Sequence, residues 1–164
     1  MKKILLIGSG AREVAVARKI KASKQRSFLF CVSPSINPHI SCLAQEYFCV
    51  SLSDNKKIVN IAKKLAVDFV FVGPENPLEN GLVDDLESSG IACVAPKKSV
   101  AKIETSKAFA RNILDGCCPE KNPKRKEFFS LDGVEKFLSE LGGGHVIKYD
   151  GLMGGKGVKI SGEH

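Results

Sequence analysis

The sequence predicts an α/β fold built on a parallel sheet, and three observations lead there. Short apolar runs, Ile4–Ile7, Phe28–Val32 and Val67–Val72 among them, alternate with segments of helical period. Glycine or proline follows several of these runs, as at Gly8 and Gly73-Pro74. Past about residue 100 the alternation changes character, so residues 1–100 are expected to form an amino-terminal α/β domain and residues 101–164 the start of a second, α+β lobe.

Ile4–Ile7 is the first expected strand, followed by glycines and a helix over Arg12–Ala22 with Val16 and Ile20 on one face. Phe28–Val32 is the second strand. Pro34, Asn37 and Pro38 then impose a loop before a short third strand, Tyr47–Val50. Asp54 is a good helix cap, and Ile58, Ile61, Ala62 and Leu65 recur at i, i+3, i+4 and i+7 with lysines opposite. Val67–Val72 reads as a buried strand, Leu82, Val83 and Leu86 as a helix, and Ile91–Val94 as the last strand of the sheet. From Ser99 the pattern turns helical, and Ser106 can cap a helix carrying Phe109 and Ile113. Gly116–Lys126 reads as an exposed loop, Glu127–Ser130 as a strand, and Asp132 as the start of a helix whose Val134, Phe137, Leu138 and Leu141 share a face. Strand His145–Tyr149 is then joined to Val158–Ser161 by Gly151–Gly157.

Composition narrows the function. Apolar residues at 43% exclude a disordered chain. The apolar run at Ile4 ends after four residues at Gly8-Ser9-Gly10, too short for a signal peptide, and no stretch approaches the roughly 20 apolar residues that cross a bilayer. A cytoplasmic protein without membrane partners is expected. Six scattered cysteines form no C-x-x-C pair, and His39, His145 and His164 stand near none of them, so neither disulfides nor a metal site in this chain is expected. The net charge of +7 is spread over several lysine-rich segments instead of one tract interleaved with aromatics. That argues against nucleic acid and suits a site for phosphorylated ligands.

Three segments carry candidate chemistry. Gly8-Ser9-Gly10 lies between a strand and a helix, where backbone N–H groups and the helix dipole favour an anion, or where a tight turn alone would need glycine for its backbone angles. A dinucleotide fingerprint needs glycine where Glu13 stands and an acidic residue after the second strand, where Ser33-Pro34 is found. Gly73-Pro74-Glu75-Asn76-Pro77 follows a central strand, at the sheet edge where open α/β folds bind ligands, and reads equally well as a rigid turn. Lys148-Tyr149-Asp150-Gly151-Leu152-Met153-Gly154-Gly155-Lys156-Gly157 is no Walker A loop, but a glycine-rich hairpin can fold over nucleotide phosphates. Lys148 sits in an otherwise apolar strand, where an unpaired ammonium would be costly to bury and a phosphate would compensate it; the alternative is a flexible surface hairpin with the lysine in solvent.

Taken in order, Ile4–Glu13, Val72–Leu78, Ser106–Ala110 and Val146–Val158 resemble the glycinamide ribonucleotide synthetase family of the ATP-grasp superfamily, over the whole chain. The resemblance implies a Rossmann-like domain preceding an ATP-grasp domain of which only the start is present. It implies a ligase of purine biosynthesis in which ATP, as substrate, activates glycine as an acyl phosphate for attack by 5-phosphoribosylamine. Gly8, Ser9, Gly10, Ala11, Arg12 and Glu13, with Gly73, Pro74, Glu75, Asn76 and Pro77, would help bind phosphoribosylamine. Lys107, Lys148, Gly151, Gly154, Gly155, Lys156 and Gly157 would contact ATP. The carboxylates for Mg2+ or Mn2+, the catalytic residues and the carboxyl-terminal part would lie beyond this chain, which is expected to be inactive alone. Ala11, Val14, Ala95 and Thr105 depart from the family pattern of G-G-R-E-H-A at the first turn and of glycine before the proline and before Ser106-Lys107. Another ATP-grasp ligase, or a non-catalytic nucleotide- or sugar-phosphate-binding module, are the alternative readings.

Overall fold

The computed structural model describes residues 1–162. Glu163 and His164, the latter one of the three histidines weighed as metal ligands, lie outside the described residues. The chain divides into two compact units, Met1–Ala101 and the residues from Lys102 onward.

In the first unit the order is β1 (Lys2–Ile7), α1 (Ala11–Lys21), β2 (Ser27–Ser33), α2 (Pro38–Ser41), β3 (Glu46–Cys49), α3 (Asn55–Leu65), β4 (Phe69–Val72), α4 (Glu75–Glu79), α5 (Leu82–Ser88) and β5 (Ala92–Val94). The five strands form one parallel sheet in the order β3-β2-β1-β4-β5. α6 (Lys98–Thr105) follows and crosses the boundary between the units.

β1 explains why its sequence shows no alternation. Leu5 and Ile7 point into a core with Val32, Val70, Val72, Ile58 and Ala62 of α3 and Leu82, Val83 and Leu86 of α5. Leu6 points to the opposite face, against Leu29, Cys31, Ala17 of α1 and Ile40 of α2. Helices on both faces leave no side of the strand for polar residues, so Ile4-Leu5-Leu6-Ile7 reads as a continuous apolar run. Full burial of one such side chain contributes roughly 1.5–3 kcal/mol. On α3 the apolar stripe Ile58, Val59 and Ala62 is buried, and Lys56, Lys57, Lys63 and Lys64 take the exposed face.

Two short helices lie where a loop and a rigid turn are expected from sequence. In α2, Pro38 sits in the first turn, where it has no hydrogen bond to lose, and the Asn37 side chain accepts the His39 N–H at 2.9 Å. Pro74 precedes α4, and Pro77 still lies within its first turn, where the missing N–H costs nothing.

The second unit contains α7 (Lys107–Cys117), a single 3-10 turn (Pro119–Lys121), α8 (Val134–Leu141), β6 (Val146–Lys148) and β7 (Val158–Ile160), with β6 and β7 antiparallel. The expected strand at Glu127–Ser130 is irregular chain. Among the described residues no strand pairs with it; Phe128 packs on Phe137 of α8 with ring centroids 5.8 Å apart, and Phe129 is 99% exposed. Nor does Asp132 cap α8: Gly133 takes that position with φ 76°, and Asp132 Oδ2 accepts from the Ser130 hydroxyl. The basic loop expected at Gly116–Lys126 is folded back on α7. Asn122 bonds Arg111 and Asp115, and the Arg125 guanidinium bonds Asp115, Asn112 and Glu127. Neither α7 nor α8 buries a residue fully, and Val146, Ile147, Val158 and Ile160 of the hairpin stay about half exposed. No helix among the described residues is long and apolar enough to cross a membrane.

Candidate functional site

β1 is the point at which the first unit's sheet changes direction. β2 and β3 extend to one side of it and β4 and β5 to the other, so the connections leaving β1 and β4 diverge, the arrangement at whose carboxyl edge open α/β sheets bind ligands in a crevice. The residues there are Gly8–Glu13 after β1 and Gly73–Pro77 after β4, the two segments picked out from sequence.

The two turns are packed against each other. Gly8 adopts φ 108°, and a Cβ on it would lie 2.7 Å from Pro74 Cδ, so only glycine fits both the backbone and the space. Its N–H donates to the Val32 carbonyl at 2.9 Å, and the Gly73 N–H donates to the Ile7 carbonyl at 3.1 Å. Above them the Arg12 guanidinium donates to Glu75 Oε1 at 2.7 Å, which bridges the loops with a charged pair. Asn76 is exposed beside it, whereas Pro77 is buried beneath.

Glu13 does more than replace a glycine. Its side chain is 3% exposed and turns back toward the start of α1, where Oε2 accepts the Gly10 N–H at 2.5 Å. The N–H that the sequence offers to a phosphate is therefore taken by the protein's own carboxylate. The same carboxylate lies over Gly73, whose Cβ, if present, would be 2.7 Å from Glu13 Cδ. Oε1 is buried and has no hydrogen-bond partner among the described residues.

The loop after β2 supplies a third wall that sequence reasoning missed. Asn37 Nδ2 donates to the Ser9 carbonyl at 2.8 Å, so the residue that caps α2 also holds the first turn. The Tyr47 hydroxyl lies 2.7 Å from Ser33 Oγ, donates to the Ser35 carbonyl and receives the Asn37 N–H. Burial raises the Tyr47 pKa, and the Ser33 and Asn37 bonds offset this only in part. Under the turn, Cys31 Sγ donates to the Gly8 carbonyl at 3.5 Å, and burial pushes its pKa up to about 12. The signal available in the sequence was the Asn37-Pro38 pair, which marks a helix start.

In the second unit the candidate nucleotide residues gather only in part. Lys107 Nζ donates to the Gly151 carbonyl at 2.8 Å, joining the first residue of α7 to the start of the glycine loop. Lys148 pairs in register with Val158 and is exposed, so the expected burial of its ammonium does not occur in this short two-stranded hairpin. Gly154, Gly155 and Lys156 form the exposed tip, and the Tyr149 N–H donates to the Gly157 carbonyl at 2.7 Å to close the base.

Asp150, not singled out from sequence, is the centre of this group. Its Oδ1 accepts the Lys107 N–H at 2.5 Å and the Ala108 N–H at 3.1 Å, and its Oδ2 accepts the Ser106 hydroxyl at 2.9 Å. Partial desolvation raises the Asp150 pKa, but the Ala108, Ser106 and Lys107 bonds outweigh it and hold the carboxyl below its ordinary value. Ser106 Oγ in turn accepts the Phe109 N–H at 3.1 Å. Among the described residues no three His, Cys, Asp or Glu side chains gather as a metal would require, so none is assigned to a cation.

Residues 2–104 match the family described as phosphoribosylglycinamide synthetase, N domain. The phosphoribosylamine–glycine ligase of Methanococcoides burtonii is 41% identical over 160 residues, which is 98% of this chain and 37% of the relative. That of Pyrococcus furiosus is 41% identical over 165 residues, 99% of this chain and 36% of the relative. The chain thus spans little more than a third of the length of these curated relatives. Among solved structures, an N5-carboxyaminoimidazole synthetase from Staphylococcus aureus has a TM-score of 0.73 at 14% identity, covering 99% of this chain and 41% of that one. The biotin carboxylase domain of the Hydrogenobacter thermophilus 2-oxoglutarate carboxylase has a TM-score of 0.72 at 19% identity, covering 97% and 37%. At such identities these likenesses concern the fold alone.

Proposed function

The chain belongs to the phosphoribosylglycinamide synthetase family, and on that premise we propose that it supplies the amino-terminal part of a ligase joining glycine to 5-phosphoribosylamine at the expense of ATP. The observation that carries the reading is the packing of the Gly8–Glu13 and Gly73–Pro77 turns against each other at the change of sheet direction, where Arg12 meets Glu75.

In this proposal the first unit holds phosphoribosylamine. The mixed charge of Arg12 and Glu75 suits a ligand with an anionic phosphate, ribose hydroxyls and an amine, and the exposed Asn76 adds a neutral donor and acceptor. The ammonium groups of Lys107 and Lys148 offset phosphate charge on ATP, and Gly151–Gly157, with Lys156 at its tip, covers the nucleotide. Transfer of the γ-phosphoryl group to the glycine carboxylate gives an acyl phosphate and ADP. Attack by the amine then forms the amide and releases phosphate. The contribution of these residues is alignment and charge neutralisation, the two effects that such a transfer most needs. Mg2+ or Mn2+, which would neutralise charge on the transferred phosphoryl group, is left to parts of the relatives outside the matched third.

The test is ADP release that depends on both glycine and phosphoribosylamine. It should be measured for the 164-residue chain and for the same chain completed with the remaining portion of the Methanococcoides burtonii relative. Turnover is expected only in the completed protein. A completed protein that folds and binds ATP without glycine-dependent turnover would overturn the ligase reading.

A further inference from the structure

Lys107 is bonded at both ends to one dipeptide. Its backbone N–H donates to the Asp150 carboxylate and its side-chain ammonium donates to the Gly151 carbonyl, so Lys107, Asp150 and Gly151 close a ring between α7 and the glycine loop. The two halves differ in chemistry. The ammonium half is a single bond to a neutral carbonyl, which a phosphate would outcompete because an anion is the stronger acceptor. The carboxylate half consists of three bonds, from the Ser106 hydroxyl and the Lys107 and Ala108 N–H groups, set where the α7 dipole favours a negative charge. Arrival of a phosphate at Lys107 would remove the first half and leave the second.

We propose that Asp150 is a positioning residue that fixes the leading hinge of the glycine loop to the start of α7, independently of what the Lys107 ammonium binds. Movement of the loop then begins at Gly151, with φ 117°, and ends at Gly157, with φ 135°, while Asp150 stays in place. The Tyr149 N–H bond to the Gly157 carbonyl keeps the two ends of the loop together during that movement. This assignment rests on the reading of Gly151–Gly157 as the nucleotide cover, but its structural content does not require nucleotide.

Both tests use the 164-residue chain without ligand. In the first, the amide resonances of Lys107 and Ala108 are followed in the unmodified protein as pH is lowered. They are expected to shift together with one midpoint below the ordinary carboxylate range, reporting Asp150; Lys107 is the charged group facing it from α7. In the second, trypsin cleavage after the exposed Lys156 is timed. Loss of a helix amino-terminal acceptor typically changes local opening about tenfold, so Asp150→Ala should be cut about tenfold faster. Asp150→Asn, which keeps an acceptor, should fall between. Lys107→Met, which keeps the backbone bond, should change the rate less than Asp150→Ala. Unchanged amide resonances of α8, in the same unit as Asp150 but away from the loop, exclude general unfolding of that unit. Wild-type cleavage of Asp150→Ala, or amides of Lys107 and Ala108 that do not sense a carboxylate, would overturn the assignment. Either result leaves the ligase reading standing, and failure of the ligase assay leaves the anchor standing.

Discussion

The carboxylate of Glu13 fills the space that a side chain on Gly73 would need, with a hypothetical Cβ at residue 73 only 2.7 Å from Glu13 Cδ. One turn of the crevice is therefore shaped by a residue of the other. Gly73→Ala is expected to destabilise the protein by about 1–3 kcal/mol, the usual cost of overpacking. Glu13→Ala should cost about 0.5–2 kcal/mol through the lost partner of the Gly10 N–H. In the double variant the alanine at 73 should cost less than it does alone, a coupling that urea unfolding of the four proteins measures.

The Arg12–Glu75 pair should behave in the opposite way. Its side chains are 65% and 28% exposed, so Arg12→Ala is expected to shift stability by less than about 1 kcal/mol. In the completed ligase the same variant should raise the KM for phosphoribosylamine at least about tenfold, as expected when a charged contact to substrate is removed. Steady-state kinetics and thermal melting on one preparation separate the two effects.

Acid should loosen the amino-terminal edge of the sheet. The Lys2 ammonium and the Lys3 N–H both bond Asp68, at 2.7 Å each, and hold its carboxyl below the ordinary value. A depressed folded-state pKa stabilises above the unfolded value and loses that effect as pH falls through the folded value. Wild-type stability should therefore decline below about pH 4 more steeply than that of Asp68→Asn, as followed by urea midpoints across pH.

Thiol labelling should divide the cysteines by burial. Cys31 is fully buried with its pKa near 12, whereas Cys42 and Cys49 are exposed. Iodoacetamide at pH 8 should modify Cys42 and Cys49 in the native protein and reach Cys31 only after denaturation, as peptide mass spectrometry would show.

The sheet was legible in sequence because its signals are local. Four-residue apolar runs such as Ile4–Ile7 and the stripe Ile58, Ile61, Ala62 and Leu65 leave a period that does not depend on distant chain. α2 and α4 were missed because helices of four and five residues are too short to show one, and proline in each suggested a turn. Glu127–Ser130 failed for a different reason: a pair of phenylalanines favours a strand only where another strand is available, and Phe128 packs on α8 instead. At the site, the glycines and lysines could be picked out by type. Asn37 and Asp150 could not, since each matters through a bond to chain 28 and 42–44 positions away. Glu13 looked like a defect in a glycine motif until its carboxylate was seen filling the gap.

The strand order also sets how much chain each pairing of β1 must close. β1 meets β2 across about 25 residues of chain, but its contact with β4 joins positions 65 apart, as in the Lys3–Asp68 bond. Chain entropy makes the second closure costlier by roughly 1 kcal/mol, so β1 and β2 can associate while β4 is still unmade. During synthesis the amino-terminal βαβ unit would carry the Gly8 turn for some time before Gly73 arrives to face it. The pairing of the Gly8 and Gly73 turns is therefore expected to follow the first half of the sheet, and slow docking of β4 would delay the appearance of a binding surface without delaying that half.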